Sequence, residues 1–290
     1  MTWPRRRPRH TPCPRQRARP LATIVPMPTP TDAIGAAARQ LLDMRRTHRI
    51  ERDLAPGLRP DTLEQAYAIQ DQVVDGLLPT GAARIGFKVA CTNRLAQEAL
   101  MIDGPMFGQL LSHSCSPSGV TLPSADFVHR VVEAEIALRI GADVEPVADG
   151  HTRDTIAEHI DAVIPAIEIV DHRFESWTIG ALPVTADNAI HGWWVHGAPD
   201  LDWRRHDLAA TRVVVRSNGE VVTTGSGAAV LGHPLTVMAW LADELPKFGR
   251  ALRAGDVVST GVTTDVFEAA AGDHILAEFA GFGFAELFFA

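Results

Sequence analysis

From Thr31 onward apolar residues recur at spacings of three and four: Ile34, Ala37, Ala38, Leu41 and Leu42 form one stripe. This predicts an amphipathic helix running to about His48, capped by Thr31 or Asp32. A second stripe of Leu63, Ala66, Ile69, Val73 and Leu77 predicts a helix over 60–78, with Asp61 and Glu64 as its capping box. After Gly81 the period changes. RIGFKVACT, FVHRVVEAEIALRIG, HGWWVHG, TRVVVRSNGEVVTTG, DVVSTGV and HILAEFAGFGFAELFFA are short apolar runs bounded by Gly, Pro and Asp, which is how strands read. Asn218-Gly219 between two valine-rich runs predicts a tight hairpin. Two helices are expected among the strands, near Thr155 to Val163 and from Pro234 to about Leu245, where proline suits a first turn. The class is α+β, in three parts: an extension over 1–30, a helical part over 31–80 and a β-rich catalytic domain over 81–290.

Charge sharpens that division. Of 27 basic residues, seven arginines fall within the first 20 positions, with no acid before Asp32, so the body holds 20 basic against 35 acidic residues. Nucleic acid and anionic lipid are bound through positive faces, so an acidic body excludes both as partners. The extension carries eight prolines in 30 residues and no apolar segment, unlike a secretory signal or a transit helix; it is expected to be disordered, and Met27 would serve as an alternative start. No apolar run approaches the roughly 18 residues of a membrane span. Three cysteines, Cys13, Cys91 and Cys115, lie far apart without a CxxC pair, which argues against disulfides or a thiolate zinc site and for a reducing, cytoplasmic compartment.

Candidate chemistry begins with carboxylates. In RVVEAEIALRI, strand alternation puts Glu133 and Glu135 on one face, about 6 to 7 Å apart, with Val132, Ala134, Ile136 and Leu138 on the other. Glu168 stands in AVIPAIEIVD, an apolar run without alternation, hence a strand buried on both faces. A carboxylate there needs either an arginine partner or a cation, and hard oxygen donors without His or Cys favour Mg2+ or Mn2+. Asp171 could join through water or cap the next turn. Only Lys88 and Lys247 are lysines against 25 arginines, and Lys88 sits inside an apolar strand, where desolvation lowers an ammonium pKa and suits it to proton transfer.

Other motifs carry less. GSGAAVLG over 225–232 has Val230 where a dinucleotide fingerprint requires glycine, and reads as a Gly-rich turn lining a pocket. Twelve histidines, His191 and His196 among them, show no ligand spacing and read as structural or surface residues. Asp187 and Asn188 in TADNAIHG read as a turn.

GFKVACT, DGPMFGQL, VEAEIAL, VIPAIEIVDHRF, TADNA, GSGAAVLGHP and STGVTTDVFEAAAGD, in series over roughly 32–290, resemble the 2-keto-4-pentenoate hydratase/2-oxo-3-hexenedioate decarboxylase family of the fumarylacetoacetate hydrolase superfamily. The resemblance implies a mixed β-roll with a small helical N-terminal part, a Mg2+ or Mn2+ site, a small-molecule 2-oxo acid substrate and a homo-oligomer. It implies Glu133, Glu135 and Glu168 as metal ligands, Lys88 as the catalytic lysine, and Asn188 and Thr260 as substrate-binding residues. The implied reaction is hydration of 2-hydroxypenta-2,4-dienoate to 4-hydroxy-2-oxopentanoate, with 2-oxo-3-hexenedioate decarboxylation and acylpyruvate hydrolysis as alternatives. One departure bears on that choice. Hydratases resemble PDFG where this chain has Pro105-Met106-Phe107-Gly108, and the loop Gly261 to Thr264 looks more like the decarboxylases; Asp103 is the nearest acid that could substitute for the missing one.

Overall fold

The computed structural model describes residues 30–290, and the expected disorder of the basic leader lies outside the described residues. Two helices lead, α1 (Pro30–Thr47) and α2 (Leu63–Leu77). The start of α2 is shifted from the expected one: Thr62 caps it, accepting the Gln65 N–H at 3.3 Å, while the Gln65 side chain accepts the Asp61 N–H at 2.8 Å. Threonine and glutamine thus do, one residue on, what Asp61 and Glu64 were expected to do.

The body follows as β1 (Arg84–Ala90), α3 (Arg94–Leu100), β2 (Met106–Leu111), β3 (Cys115–Pro117), β4 (Val120–Leu122), β5 (Val131–Ile140), α4 (Arg153–Ala157) and β6 (Ile160–Val170). Then come α5 (Ala181–Ala186), β7 (His191–His196), β8 (Arg212–Ser217), β9 (Glu220–Ser226), α6 (Pro234–Glu244), β10 (Val257–Val262), β11 (Phe267–Glu268), β12 (His274–Phe279) and β13 (Gly283–Phe289). The helix expected over 155–163 is only the short α4, held by a Thr152–Thr155 capping box. From Ile160 the chain is strand, because Ile160, Ala162 and Val163 pair with β5 and are buried there; sheet pairing overrides the local helical pattern. The Asn218-Gly219 hairpin forms as expected, with φ of 53° and 88°, both positive as a type I′ turn requires.

Two sheets result, one ordered β2-β1-β10-β5-β6-β7-β3 with β11 added against β5, the other β4-β13-β12-β8-β9. Their facing sides, with α6, make the main core: Val132, Ala134, Ile136 and Leu138 of β5 meet Val213, Val215, Ile275, Ala277 and Leu287 of the second sheet, and Val237 and Leu241 of α6. The helices α1 and α2 make a second cluster from Leu41, Met44, Ile69 and Val73, completed by Phe174 and Ala186 of the body. No helix among the described residues is long and apolar enough to cross a membrane.

The first sheet is tight where β1 meets β10. Gly86 has a φ of 144° beside an irregularity in the β1–β2 register, and a Cβ there would land on the Val257 carbonyl. Gly86→Ala is therefore expected to cost roughly 1–3 kcal/mol, read as a lower denaturation midpoint at unchanged slope. Gly104→Ala, where nothing lies within 4 Å, should leave the midpoint in place.

Candidate metal centre and active site

Directly paired residues on neighbouring strands share a face, so register alone assembles the site. Glu133 lies opposite Glu168, and Glu168 opposite Trp194. Lys88 lies opposite Ser259, which lies opposite Ala137, two residues beyond Glu135. Lys88, Glu133, Glu135, Glu168 and Ser259 therefore all point away from the main core. Carboxylate oxygens of the three glutamates come within 4.8 Å of one another.

Lys88, Glu135, Glu168 and Ser259 are buried and have polar partners, whereas Glu133 is half-buried and faces the cavity. The Lys88 ammonium reaches Glu168 Oε1 at 3.3 Å and donates to the Ala189 carbonyl at 3.1 Å. Glu168 Oε1 also accepts from His191 Nδ1 at 2.8 Å, and His191 Nε2 meets the Ser114 hydroxyl at 3.2 Å. Ser259 accepts from Trp194 Nε1 at 3.1 Å and donates to Glu135 Oε2. Two oxygens are left without a partner, Glu135 Oε1 and Glu168 Oε2. Leaving a buried acceptor unmade costs about 1–3 kcal/mol, more for a charged one, so two in one cluster mark a place built for something else.

Protonation follows from burial set against these charges. Burial, aided by Glu168, pushes Glu133 up to about 7 despite Lys88. Burial and the two other carboxylates push Glu135 well above the usual carboxylate range. Burial works against an ionised Glu168 too, but Lys88 and His191 outweigh it and hold that carboxyl below its ordinary value. For Lys88, burial is opposed by Glu168, Glu133 and Glu135, which together keep its pKa raised. The sequence-based expectation of a lowered lysine is thus reversed here, since desolvation meets three carboxylates. Burial holds His191 down, with Lys88 and Arg45 adding to it, so its ring is neutral and Nδ1 carries the proton given to Glu168.

A buried ion network braces the rear of the site. Asp187 accepts from Arg45 Nε at 2.6 Å and from Arg173 Nη2 at 2.7 Å. Arg173 Nη1 holds Asp171 at 2.7 Å, and Asp171 Oδ1 accepts the N–H groups of Val128 and His129. Asp171 is committed to that network. The adjoining turn is left-handed over three residues, Asn188, Ala189 and Ile190, with φ of 52°, 48° and 54°. Such a conformation costs about 1–2 kcal/mol per residue and persists only where its surroundings over-determine it. Here the Asn188 side chain accepts the Gln109 N–H at 2.7 Å and donates to the Gln109 carbonyl at 2.9 Å, fixing the turn that aims the Ala189 carbonyl at Lys88.

A cavity of about 370 Å3 opens on Lys88 and Glu133. Glu135 and Glu168 lie deeper, while Asn188 and Thr260 are fully buried and outside its lining. The Thr260 hydroxyl donates to the Ile136 carbonyl at 2.7 Å, at the irregularity between β10 and β5. The structure thus brings Lys88 and the three glutamates together, and commits both Asn188 and Thr260 to backbone partners. The Gly-rich turn over 225–232 does not line this cavity; Gly225 and Gly227 instead let Thr263 and Leu208 carbonyls approach closely. Met106 is buried beside Cys91 and Val184 with Thr185 donating to its sulfur, and Asp103 is exposed away from the cavity, so it does not replace an acid at 106. Burial pushes the Cys91 and Cys115 thiols up to about 11, so both are protonated.

Sequence reasoning missed His191, Ser259, Arg45 and Arg173. The strand alternation that found Glu133 and Glu135 would have found Ser259 once β10 was paired in register with β1.

A model of the fumarylacetoacetate hydrolase C-terminal domain matches residues 91–287, and the chain belongs to that family. It is 35% identical over 252 residues to the 2-keto-4-pentenoate hydratase of Burkholderia vietnamiensis, covering 87% of this chain and 94% of that protein. It is 34% identical over 223 residues to the 4-oxalocrotonate decarboxylase of Pseudomonas putida, covering 77% of this chain and 83% of that one. Among solved structures, the 4-oxalocrotonate decarboxylase of Pseudomonas putida G7, complexed with magnesium and adipate, superposes with a TM-score of 0.82 at 28% identity, covering 90% of this chain and 98% of that one.

His172 adds a titrating group to the cavity wall. Its Nδ1 is engaged by the Phe174 backbone, its ring stacks on Trp177 at 4.3 Å, and Nε2 is buried without a partner. Burial lowers its pKa to about 4, with Arg173 and His129 adding to that and the Phe174 carbonyl and Asp187 opposing it. The unfolded chain therefore takes up this proton first, at about 6.5, and stability falls as pH drops from about 6.5 to about 4, levelling below. In a profile of Tm against pH, His172→Gln should flatten that limb; an unchanged slope would contradict the assignment.

Proposed function

We propose that the protein is a metal-dependent lyase acting on a small unsaturated 2-oxo acid, hydrating 2-hydroxypenta-2,4-dienoate to 4-hydroxy-2-oxopentanoate. The observation that carries the reading is the convergence of three carboxylates and one buried ammonium at the floor of a cavity of substrate size. The cluster fits a hard divalent cation: all donors are carboxylate oxygens, two of them lack any partner, and three carboxylates against one ammonium leave a formal deficit of two positive charges. Glu133, Glu135 and Glu168 would hold Mg2+ or Mn2+, which supplies positive charge for the carboxylate and 2-oxo oxygens of the substrate and for the enolate that develops.

The chain's own groups do the rest. Glu168 is oriented for ligation by His191 and Lys88, and Glu135 by Ser259, so two of the three donors are set before anything binds. Lys88 is the one ammonium among the described residues lining the cavity, and as proton donor it would protonate C5 of the dienol while the 2-hydroxyl gives up its own proton, leaving a 2-oxo-3-enoate whose C4 then accepts water. The reading includes a cytoplasmic location, supported by the cysteine usage, and a homo-oligomer, supported by the family resemblance.

A second reading, decarboxylation of 2-oxo-3-hexenedioate, is favoured by Met106, which leaves no acid where the hydratase pattern has one. Enzyme treated with EDTA should turn over neither acid, and Mg2+ or Mn2+ should restore activity. Product analysis on both acids, scoring water addition against CO2 release, separates the two readings. Glu135→Gln is expected to lose more than the roughly 10- to 100-fold that accompanies loss of an outer hydrogen-bond partner, and Lys88→Met about 10²- to 10⁴-fold in kcat, both with unchanged circular dichroism. Full activity in either variant would sink the proposal.

A further inference from the structure

We propose that the outer part of this cavity is an apolar pocket for a hydrocarbon tail, so that the preferred 2-oxo acid bears an uncharged tail longer than that of 2-hydroxypenta-2,4-dienoate. The inference rests on the functional reading above and extends it to the part of the substrate that does not react.

The register shows how the cavity changes character with distance from the carboxylates. Val131 lies opposite Val170, the next pair outward on the face that carries Glu133 and Glu168, one pleat repeat or about 6–7 Å further along. Both valines line the cavity, and Leu100 of α3, Val184 of α5, Val262 and Trp177 add apolar surface, while Asn93, which caps α3, and Thr264 contribute neutral polar groups. The volume, about 370 Å3, lies within the range of about 300–1,000 Å3 in which drug-sized ligands are held, and a five-carbon acid is much smaller. Space left over beside such an acid is walled mostly by hydrocarbon, and burying a tail there is favourable at about 25 cal/mol per Å2.

The same wall rejects a second carboxylate. Among the described residues lining the cavity, Lys88 alone is a lysine or arginine, and its ammonium is engaged by Glu168 and the Ala189 carbonyl. Asp265 adds an exposed carboxylate to the lining, which repels an anionic tail. His172, the imidazole in this wall, is buried with its ring against Trp177, and nothing cationic stands beyond it in the cavity. A terminal carboxylate would lose its water without gaining a counter-charge, and that penalty is large.

The test is a specificity series on the Mg2+-loaded full-length protein. The substrates are 2-hydroxypenta-2,4-dienoate, its analogues extended at C5 by methyl, ethyl and propyl, and 2-oxo-3-hexenedioate. Expected is a rise in kcat/KM of about fourfold per added methylene, with the diacid at least tenfold below the methyl analogue. Calorimetric Kd values for saturated 2-oxo acids of matching length, with 2-oxohexanedioate as the diacid, should follow the same order without any turnover. Trp177→Ala should shrink the tail gradient. Ala99→Lys, an exposed position on the lining of α3, should raise kcat/KM for the diacid. A flat or falling series, or preference for the diacid, overturns the inference while leaving the lyase reading in place. Turnover of none of these acids overturns the lyase reading, and the inference with it.

Discussion

Three carboxylates and one ammonium packed on a single face of a buried sheet are the constraint around which the molecule is arranged. In a medium of low polarity, like charges at such separations cannot all persist without opposite charge nearby. Lys88 supplies one positive charge, and protonation of Glu133 and Glu135 is favoured in its surroundings, while Glu168 is held ionised by Lys88 and His191. The supporting groups are neutral donors, Ser259 and His191, which fix carboxylate oxygens without adding to the charge. One layer further out charge again meets charge, where Asp187 holds both Arg45 and Arg173 and Asp171 holds Arg173. That outer layer ties α1 to the turn before β7, since Arg45 also donates to the Asp187 and His191 carbonyls.

Much of this was legible in the order of residues. Alternation in RVVEAEIALRI separated the faces of β5 correctly, the unalternating run around Glu168 marked a doubly buried strand, and the single interior lysine stood out by composition. What escaped depends on pairing between distant segments. The fate of residues 160–163 was decided by β5, not by their own pattern, and α2 took its cap from whichever hydroxyl met the helix N-terminus. Arg45, in the last turn of a surface-like amphipathic helix, carries no local sign that its guanidinium will be sequestered against Asp187, 142 positions away.

Asn188 and Thr260 show a different limit. The family resemblance implies polar groups facing a ligand, whereas both side chains bond to backbone at irregular points of the chain. Asn188 stabilises three successive left-handed residues, two of which, Ala189 and Ile190, resist that conformation intrinsically. Their contribution to the site is shape: one holds the carbonyl that meets Lys88, and the other fixes the irregular end of β10 against β5. Neither side chain is among those lining the cavity.

The first sheet is also a partition one residue thick, with ionic machinery on one side and the main core on the other. Side chains on the core side cannot change without disturbing the packing between the two sheets. Much of the cavity's outer wall, by contrast, comes from α3, α5 and loops that bear little of that core. On the specificity proposed above, the chemistry and the choice of molecule would be inherited separately. Descendants of this chain could drift toward new tails by altering two short helices and a tryptophan loop, while the strands that hold the glutamates stay as they are.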